Sequence, residues 1–579
     1  MRHIDQTGPC RLAWCSQLAL LAAVAACGGG ASDGPATDNA GQAGTDADPA
    51  ATVEATAGAP AAPSVSLAEP TNVAGTNRIA LAWSARGASI FTVLVKRSER
   101  DDFEPVAVQP NARSTEIVRG IAWRYDFPTA RVKVRGCTPS QHCADSNEQP
   151  LLNALLGSVI DIVPAAGVGA SVFGHNVALD GAGDTLAVTD LFDFGAFYVF
   201  QRNAEGAWQR EFYQQSQPPA SYGERIALSR DGNTLVTSHS SVPPLDTPEL
   251  AVPRGAAFVW VRDIAGTWQR QASLQLDCVD LQFFGREIAL SDDGSRLAAA
   301  SRNRIYLFSR DATGTWRREL LPANAVNIDA PFEGIQIAMS GDGQTLALTG
   351  LEQAGTFPDG SPRQDWVVWV VKRLPDTGWT RVAELRSAKV DDTSASFVPD
   401  DRFGHRLALD QSGDTLAVAA PGDGSDETDT TGTQSNLTLL NAGAVYIFKP
   451  SADGSWRQQA FVKARGAAYL DQFGVHIVLS RDGKVLMGLA RGGAANAPGI
   501  NRNHAPDRTV PPPTFSNLGG AVYVFELQDG IWTERAAVIP PFTEGIAFQD
   551  VGLAVNDDGH TFSIGVNELV LDSSHAFVY

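Results

Sequence analysis

Positive charge is in short supply along this chain. Lys and Arg total 45 against 65 Asp and Glu, which leaves a net charge of −20 over 579 residues. A general nucleic-acid binder needs a basic footprint for the phosphates, so that class is set aside. Charged residues of both signs make up 19%, below the roughly 25% of an average soluble domain. Apolar runs are short, and none reaches the 18 residues from which a membrane-crossing helix is read. Catalytic signatures are missing as well. The nine histidines (His3, His142, His175, His239, His405, His476, His504, His560 and His575) form no HExxH or other ligand spacing. Neither a G-x-S-x-G elbow nor a Walker-type phosphate loop is present. No catalytic residue and no metal site is assigned from the sequence. Cysteine is rare, with six in the whole chain.

What the chain has is glycine and proline, 55 and 33 residues, many at turn-like spots. That favours many short strands over long helices. The N-terminus carries Arg2 and Arg11, then 15 mostly apolar small residues from Leu12 to Ala26, then Cys27 and three glycines. The run Val24-Ala25-Ala26-Cys27 resembles the lipobox of bacterial lipoproteins. The resemblance implies a signal peptide over 1–26, cleavage before Cys27 and acylation of Cys27, so that acyl chains hold the protein at a membrane. Gly28 is not the Asp that, in enterobacterial lipoproteins, implies inner-membrane retention. The expected place is therefore the bacterial cell envelope, at the outer membrane. Residues 27–63 are Ala-, Gly-, Asp-, Thr- and Pro-rich and hold no Lys, Arg or aromatic residue up to Pro63, so they read as a disordered tether. In an oxidising compartment Cys137 and Cys143 of GCTPSQHC pair as a disulfide across a tight loop. A metal site there would have only His142 to add. Cys278, left single, reads as a small buried hydrophobe.

Residues 64–150 show alternating strands at short spacing: SVSLAEP, RIALAWSA with Trp83, SIFTVLVKRS, FEPVAVQP, STEIVRG and TARVKVRGC. Such spacing predicts a β-sandwich. With its core Trp on the second strand and RVKVRGC as the penultimate one, the segment resembles a fibronectin type III domain.

From 151 onward the chain repeats itself. FGHNVALDGAGDTLAV, YGERIALSRDGNTLV, FGREIALSDDGSRLAA, EGIQIAMSGDGQTLAL, FGHRLALDQSGDTLAV, FGVHIVLSRDGKVLMG and QDVGLAVNDDGHTFSI share one pattern. Their turn glycines are Gly183, Gly232, Gly294, Gly343, Gly413, Gly483 and Gly559. An apolar strand of the GAVYVF type follows each, then, in six of them, a Trp-led polar strand at Trp208, Trp268, Trp316, Trp379, Trp456 or Trp532. Four-stranded units repeated radially predict a seven-bladed β-propeller over 151–579, in an all-β protein. The repeats resemble the FG-GAP repeats of bacterial surface proteins and, by extension, the integrin alpha-subunit propeller. That family's calcium-binding turn is an Asp-x-Asp-x-Asp-Gly loop. The turns here are shorter and supply one or two carboxylates, so they read as plain turns. The seventh repeat lacks a Trp strand, and the free segment Leu151–Val163 is expected to complete its sheet beside residues 575–579, because an unclosed ring exposes a strand edge.

Long loops are expected on one face: Ser238–Gly255, Thr349–Trp366, Arg386–Arg402, Ala419–Gly443 and Ala490–Gly519. Variable loops on a rigid scaffold are where binding residues reside. The candidates are acidic at Asp391, Asp392, Asp400, Asp401, Asp423, Asp426, Glu427 and Asp429, and basic at Arg491, Arg502, His504 and Arg508. The bland alternative is a set of solvated loops. No cofactor is assigned, with calcium at Asp423–Asp429 the one metal left open. The functional reading is a membrane-anchored exported lipoprotein whose propeller is a binding module for a protein or glycan. A propeller-type polysaccharide lyase or hydrolase and an envelope assembly scaffold are the alternatives.

Overall fold

A computed structural model describes residues 62–579 except 165–171, 192–194, 217–220, 242–254, 277–282, 302–303, 320, 322–334, 357–361, 388–399, 426–438, 493–497, 503–519, 542–551 and 568–573. Cys27 and Cys278 lie outside the described residues. The protein is nearly all β, with one six-residue helix, Leu152–Gly157, among the described residues. No described helix is long and apolar enough to cross a membrane.

The first part is two antiparallel sheets. One pairs Arg78–Arg86 with Ser64–Leu67, Thr71–Asn72 and Ser114–Val118. The other places Ile90–Lys96 between Glu104–Pro110 and Arg131–Cys137, with Cys143–Asp145 and Gln149–Pro150 at its edge. Alternation turns Ile79, Leu81 and Trp83 inward from one sheet and Phe91, Val93, Val132 and Val134 from the other. The Trp83 and Phe91 rings meet at 5.5 Å. Cys137 and Cys143 face each other in the hairpin register and form the expected disulfide.

Seven sheets follow among the described residues, labelled A to G in order of their first strands. Sheet A is Phe173–Leu179, Thr185–Asp190, Ala196–Arg202 and Trp208–Gln215, each antiparallel to the next. Sheets B to E repeat this order. Two packing rules recur. The aromatic that opens a repeat meets a third-strand ring edge-on, as Phe173 does Tyr198 at 5.2 Å and Phe403 does Tyr446 at 5.4 Å. The glycine after it takes a left-handed φ (Gly174, +83°), and a Cβ there would stand 2.5 Å from the His575 carbonyl oxygen. The Trp that leads the fourth strand bonds to the preceding sheet. Trp268 Nε1 donates to Glu211, Trp316 Nε1 to Gln271 at 3.1 Å, and Trp379 Nε1 to Glu319.

Sheet G is assembled from both ends of this region. Its strands Leu553–Val555, Phe562–Asn567 and Ser574–Val578 are completed by Ile160–Ile162, which pairs with 576–578. The expected closure is therefore seen, although the contributed strand is short and 152–157 turns into helix instead. The first strand of each sheet packs on that of the next, and that of G packs on both F and A. Backbone bonds between the turns trace the same circuit. Amide N–H groups donate from Gly181 to Arg230, Arg230 to Asp292, Asp292 to Gly341, Asp342 to Gln411, Gln411 to Arg481, Arg481 to Asp557, and Asp557 back to Gly181.

Two expectations change. The segment Thr349–Trp366 is for the most part a paired ribbon rather than a loop, because Thr345–Thr356 and Pro362–Leu374 continue pairing well past the sheet. Sheet F gains a fifth strand, Gly499–Asn501, from inside the expected loop Ala490–Gly519, laid along Ile531–Ile539.

That extra strand docks the sandwich. Phe127 N–H donates to the Ile500 carbonyl at 3.0 Å, and Trp123 Nε1 to the Gly559 carbonyl at 3.1 Å. Trp123, Tyr125 and Phe127 share one buried cluster with Met487, Ile500 and Val538. Arg119, also buried, donates to Ser158 Oγ at 2.9 Å.

Trp316 is fully buried, whereas Ile531 is 61% exposed. Trp316→Ala is expected to cost about 3–5 kcal/mol and Ile531→Ala less than about 0.5 kcal/mol, read as shifts of the denaturant midpoint. Removal of 574–579, which strips two strand partners from sheet G, should abolish cooperative unfolding of the sheet array rather than fray one end.

Candidate functional site

In each repeat the first strand starts where the second ends, as Phe173 opposite Asp190 shows. The starts of the first strands therefore lie at the same end as the long loops, and the Asp-Gly turns lie at the other.

The turn end is occupied by its own hydrogen bonds. Asp231 Oδ1 accepts from Ser229 Oγ at 2.6 Å and from Asn233 N–H at 3.0 Å, and Asp293, Asp342 and Asp482 repeat the arrangement. Burial opposes ionisation of Asp231, Asp293 and Asp482, but these Ser and backbone donors outweigh it and hold all three below the usual carboxylate range. Arg481 of sheet F bonds to Asp292 of sheet C, and Arg230 of sheet B to Asp557 of sheet G. These pairs join sheets that are not neighbours, so they cross the axis and restrict this end to a depression of about 170 Å³.

The loop-end candidates are dispersed. Asp391, Asp392, Asp426, Glu427, Asp429, His504 and Arg508 lie outside the described residues. Asp400 is exposed, and its Oδ1 accepts from the Arg402 N–H. Asp401 is buried and accepts from Ser387 Oγ at 2.6 Å and Phe403 N–H. Asp423 does not face a solvent groove: it is buried, with Oδ1 taking Lys463 Nζ at 3.0 Å and Ser425, and Oδ2 taking the Tyr446 hydroxyl at 3.0 Å. Lys463 is fully enclosed, so this is an internal ion pair whose oxygens are committed, and Asp423 is corrected from a binding residue to a structural one. Burial, then the adjacent Asp423 charge, pushes the Tyr446 hydroxyl well above its usual range. Arg502 faces the sandwich. It bonds to Asp101 of the sandwich at 2.7 Å, and its N–H donates to Asp126, which makes it part of the docking contact. A polar groove of about 410 Å³ between Arg97, Asp102, Glu526 and Arg535 adjoins it. Among the described residues no group of three or more His, Cys, Asp or Glu is placed to hold a metal.

Of the described candidates, Arg491 alone reaches the axis. It lines a cavity of about 300 Å³ at the loop end, together with His175, Asn176, Arg225, Glu287, Gln336, His405, Arg406 and His476. Six of these hold one register position, two residues after the glycine that opens the repeat: Asn176, Arg225, Glu287, Gln336, Arg406 and His476. Gly552 takes that place in the seventh repeat. The signal was available in the aligned repeats, where this column is polar and the column that follows it is apolar throughout. It is easily missed because the six residues are of five different types.

Four of the six ring residues are engaged within the protein. Arg225 pairs with Glu287 at 2.6 Å, Gln336 donates to the same carboxylate, and Asn176 Nδ2 donates to the Glu224 carbonyl. Burial works against the Glu287 charge, but Arg225 and then Arg406 hold it below its usual range. The other two are His476 and Arg406, whose Nη1 donates to the His405 carbonyl at 3.1 Å. Burial first, then Arg406, Arg402 and Arg491, lowers His405 to about 3. Burial, Arg406 and Arg225 lower His476 to about 3, and its enclosed Nδ1 has no hydrogen-bond partner among the described residues. Both imidazoles are neutral near pH 7.

No family model matches the chain, and no curated protein does. Solved structures with some likeness include a putative 6-phosphogluconolactonase from Bacteroides fragilis NCTC 9343, 13% identical, covering 78% of this chain and 96% of that one at a TM-score of 0.37. A second putative 6-phosphogluconolactonase, from Bacteroides uniformis ATCC 8492, is 11% identical and covers 78% and 97% at 0.36. Kluyvelomyces marxianus Hsv2 is 9% identical and covers 69% and 90% at 0.37. The architecture of this chain, all-β with repeated four-stranded sheets in a propeller-like array, stands on its own strand pairing.

The two neutral histidines fix a pH dependence. Their pKa in the fold lies below the unfolded value of about 6.5, so the unfolded chain binds more protons between the two values. Their contribution to stability is complete above pH 6.5 and is lost as pH falls toward about 3. Each should add a slope of up to about 1.4 kcal/mol per pH unit inside that window. Unfolding midpoints between pH 7 and 5 should fall for the natural chain and flatten in His405→Gln and His476→Gln.

Proposed function

We propose that this protein is an exported lipoprotein, anchored through Cys27 in the outer membrane of a bacterial envelope. Its seven sheets are the blades of an FG-GAP-type propeller, held behind a fibronectin type III-like domain, and it serves as a binding module for a protein or glycan. The observation that carries the binding reading is the inequality of the two ends. The turn end is crossed by Arg481–Asp292 and Arg230–Asp557, while the loop end holds a cavity lined by polar side chains at or just before the first strands of six sheets. Seven turn glycines and a closed circuit of turn-to-turn bonds support the blade count. Sequence supports the anchor, through Val24–Cys27 and the tether that follows. The docked sandwich would carry the propeller as a rigid body at the end of that tether.

Cys27→Ser should abolish incorporation of labelled lipid and move the protein out of the membrane fraction; normal labelling and fractionation in that variant would refute the anchor. Capture of an envelope partner by the intact protein should be lost on Arg491→Glu at the loop end and retained on Arg230→Gln at the turn end. The reverse pattern would put binding on the opposite face.

A further inference from the structure

Lysine is scarce in this chain, seven residues against 38 arginines. Buried ion pairs ordinarily take arginine, whose planar fork stays charged and matches a carboxylate in shape. Sheet E nevertheless encloses Lys463 completely. This residue follows the outer strand Trp456–Val462, at a place where sheets A and B have Gln215 and Gln275 and sheet D has Arg386. Its partner Asp423 follows the second strand, Leu416–Ala420, and Tyr446 stands on the third, Ala444–Pro450. Lys463, Asp423, Ser425 and Tyr446 are each at most 4% exposed. Lys463 Nζ lies 3.0 Å from Asp423 Oδ1 and 3.1 Å from Ser425 Oγ, which itself donates to Oδ1 at 2.5 Å. The Tyr446 hydroxyl donates to Oδ2 at 3.0 Å, and the Phe461 ring stands 5.8 Å from Nζ. Burial and the Asp423 charge hold the Tyr446 proton in place, so this hydroxyl stays a donor.

We propose that Lys463 Nζ and Asp423 Cγ condense to an intramolecular amide, which staples the outer strand of sheet E to the end of its second strand. Enclosure favours the neutral form of the pair, an amine beside a carboxylic acid, and a neutral amine is a nucleophile. An arginine could not serve, because its guanidinium keeps its proton. One ammonium proton passes to Oδ1 and frees the nitrogen lone pair. That pair attacks Cγ, the π electrons of the C–Oδ2 bond move onto Oδ2, and the Tyr446 hydroxyl stabilises the charge there. Ser425 Oγ, in contact with both Nζ and Oδ1, relays a second nitrogen proton to Oδ1. The Cγ–Oδ1 bond breaks with its electrons on oxygen, one water leaves, the Cγ–Oδ2 double bond returns, and an amide with one N–H remains. No oxidant or further reactant is consumed. Fixed contact between the two groups supplies the high effective concentration that the condensation needs.

The test is peptide mass mapping of the full chain after digestion with trypsin. Trypsin should not cut after Lys463. The segment that holds Lys463 should be recovered joined to the segment that holds Asp423, lighter by one water than the two together. Recovery of the two segments apart, with cleavage after Lys463, would overturn the proposal. Lys463→Arg keeps the positive charge and should yield the segments unjoined; a joined species in that variant would likewise refute the assignment. Ser425→Ala and Tyr446→Phe should each slow the appearance of the joined species in freshly synthesised chain by about tenfold or more. Ser425→Thr keeps the hydroxyl and should link at the natural rate, an outcome that a purely structural role for the side chain does not require. Linking at the natural rate in both Ser425→Ala and Tyr446→Phe would overturn the mechanism. Should a variant fail to fold, the map of the natural chain decides alone, because an ordinary ion pair leaves both segments free and at full mass.

Discussion

Asp161 and His575 lie 414 residues apart and meet at 2.8 Å, in the pairing of Ile160–Ile162 with Ser574–Val578. Everything downstream of the sandwich depends on that clasp. A radial array of sheets has no natural end, and an unclosed one presents an unpaired strand with its N–H and C=O groups open. The entropy of joining such distant segments grows only with the logarithm of the intervening length, so the extra cost of distance is modest. In return, Ala576, Phe577, Val578 and Tyr579 become buried, and sheet G can pack on both sheet A and sheet F. The circuit of turn-to-turn amide bonds then runs without a gap, from Gly181 around to Asp557 and back.

Closure also makes the two ends of the axis unequal. At the turn end the residues that follow the Ser or Asp of each repeat are drawn together, and Arg481 can reach Asp292 across the array. At the loop end the register column that begins with Asn176 is spread around a wider opening, where Arg225 pairs with Glu287. One structural rule, first strands packed each on the next, thus yields a braced end and a more open one. The difference lies in which side chains the repeats place there.

The sandwich is joined to this scaffold by more than the chain. Trp123 and Phe127 donate to carbonyls of sheets G and F, and Arg502 binds Asp101. Part of a segment that reads as a variable loop, Gly499–Asn501, is the strand that receives them. A buried aromatic cluster at such a junction favours a fixed arrangement over a hinge.

Much of the fold was legible because each repeat states its own local physics. Alternation marks the strands, a left-handed glycine marks each turn, and Trp marks the outer strand. The missing Trp in the last repeat announced that 151–163 had to complete it. The disulfide followed from two cysteines six residues apart. The candidate site was less legible. Asp423 and Arg502 have the composition of solvent-facing loop residues, yet one is consumed by Lys463 and the other by the sandwich, partners that are distant in sequence. The column Asn176, Arg225, Glu287, Gln336, Arg406 and His476 carries no motif, because its members differ in type and are 49 or more residues apart. Local periodicity is a property of neighbours along the chain, so the sequence by itself determined strands, turns and the need for closure. Which charges meet depends on proximity across the array of sheets, and only the tertiary structure decided that.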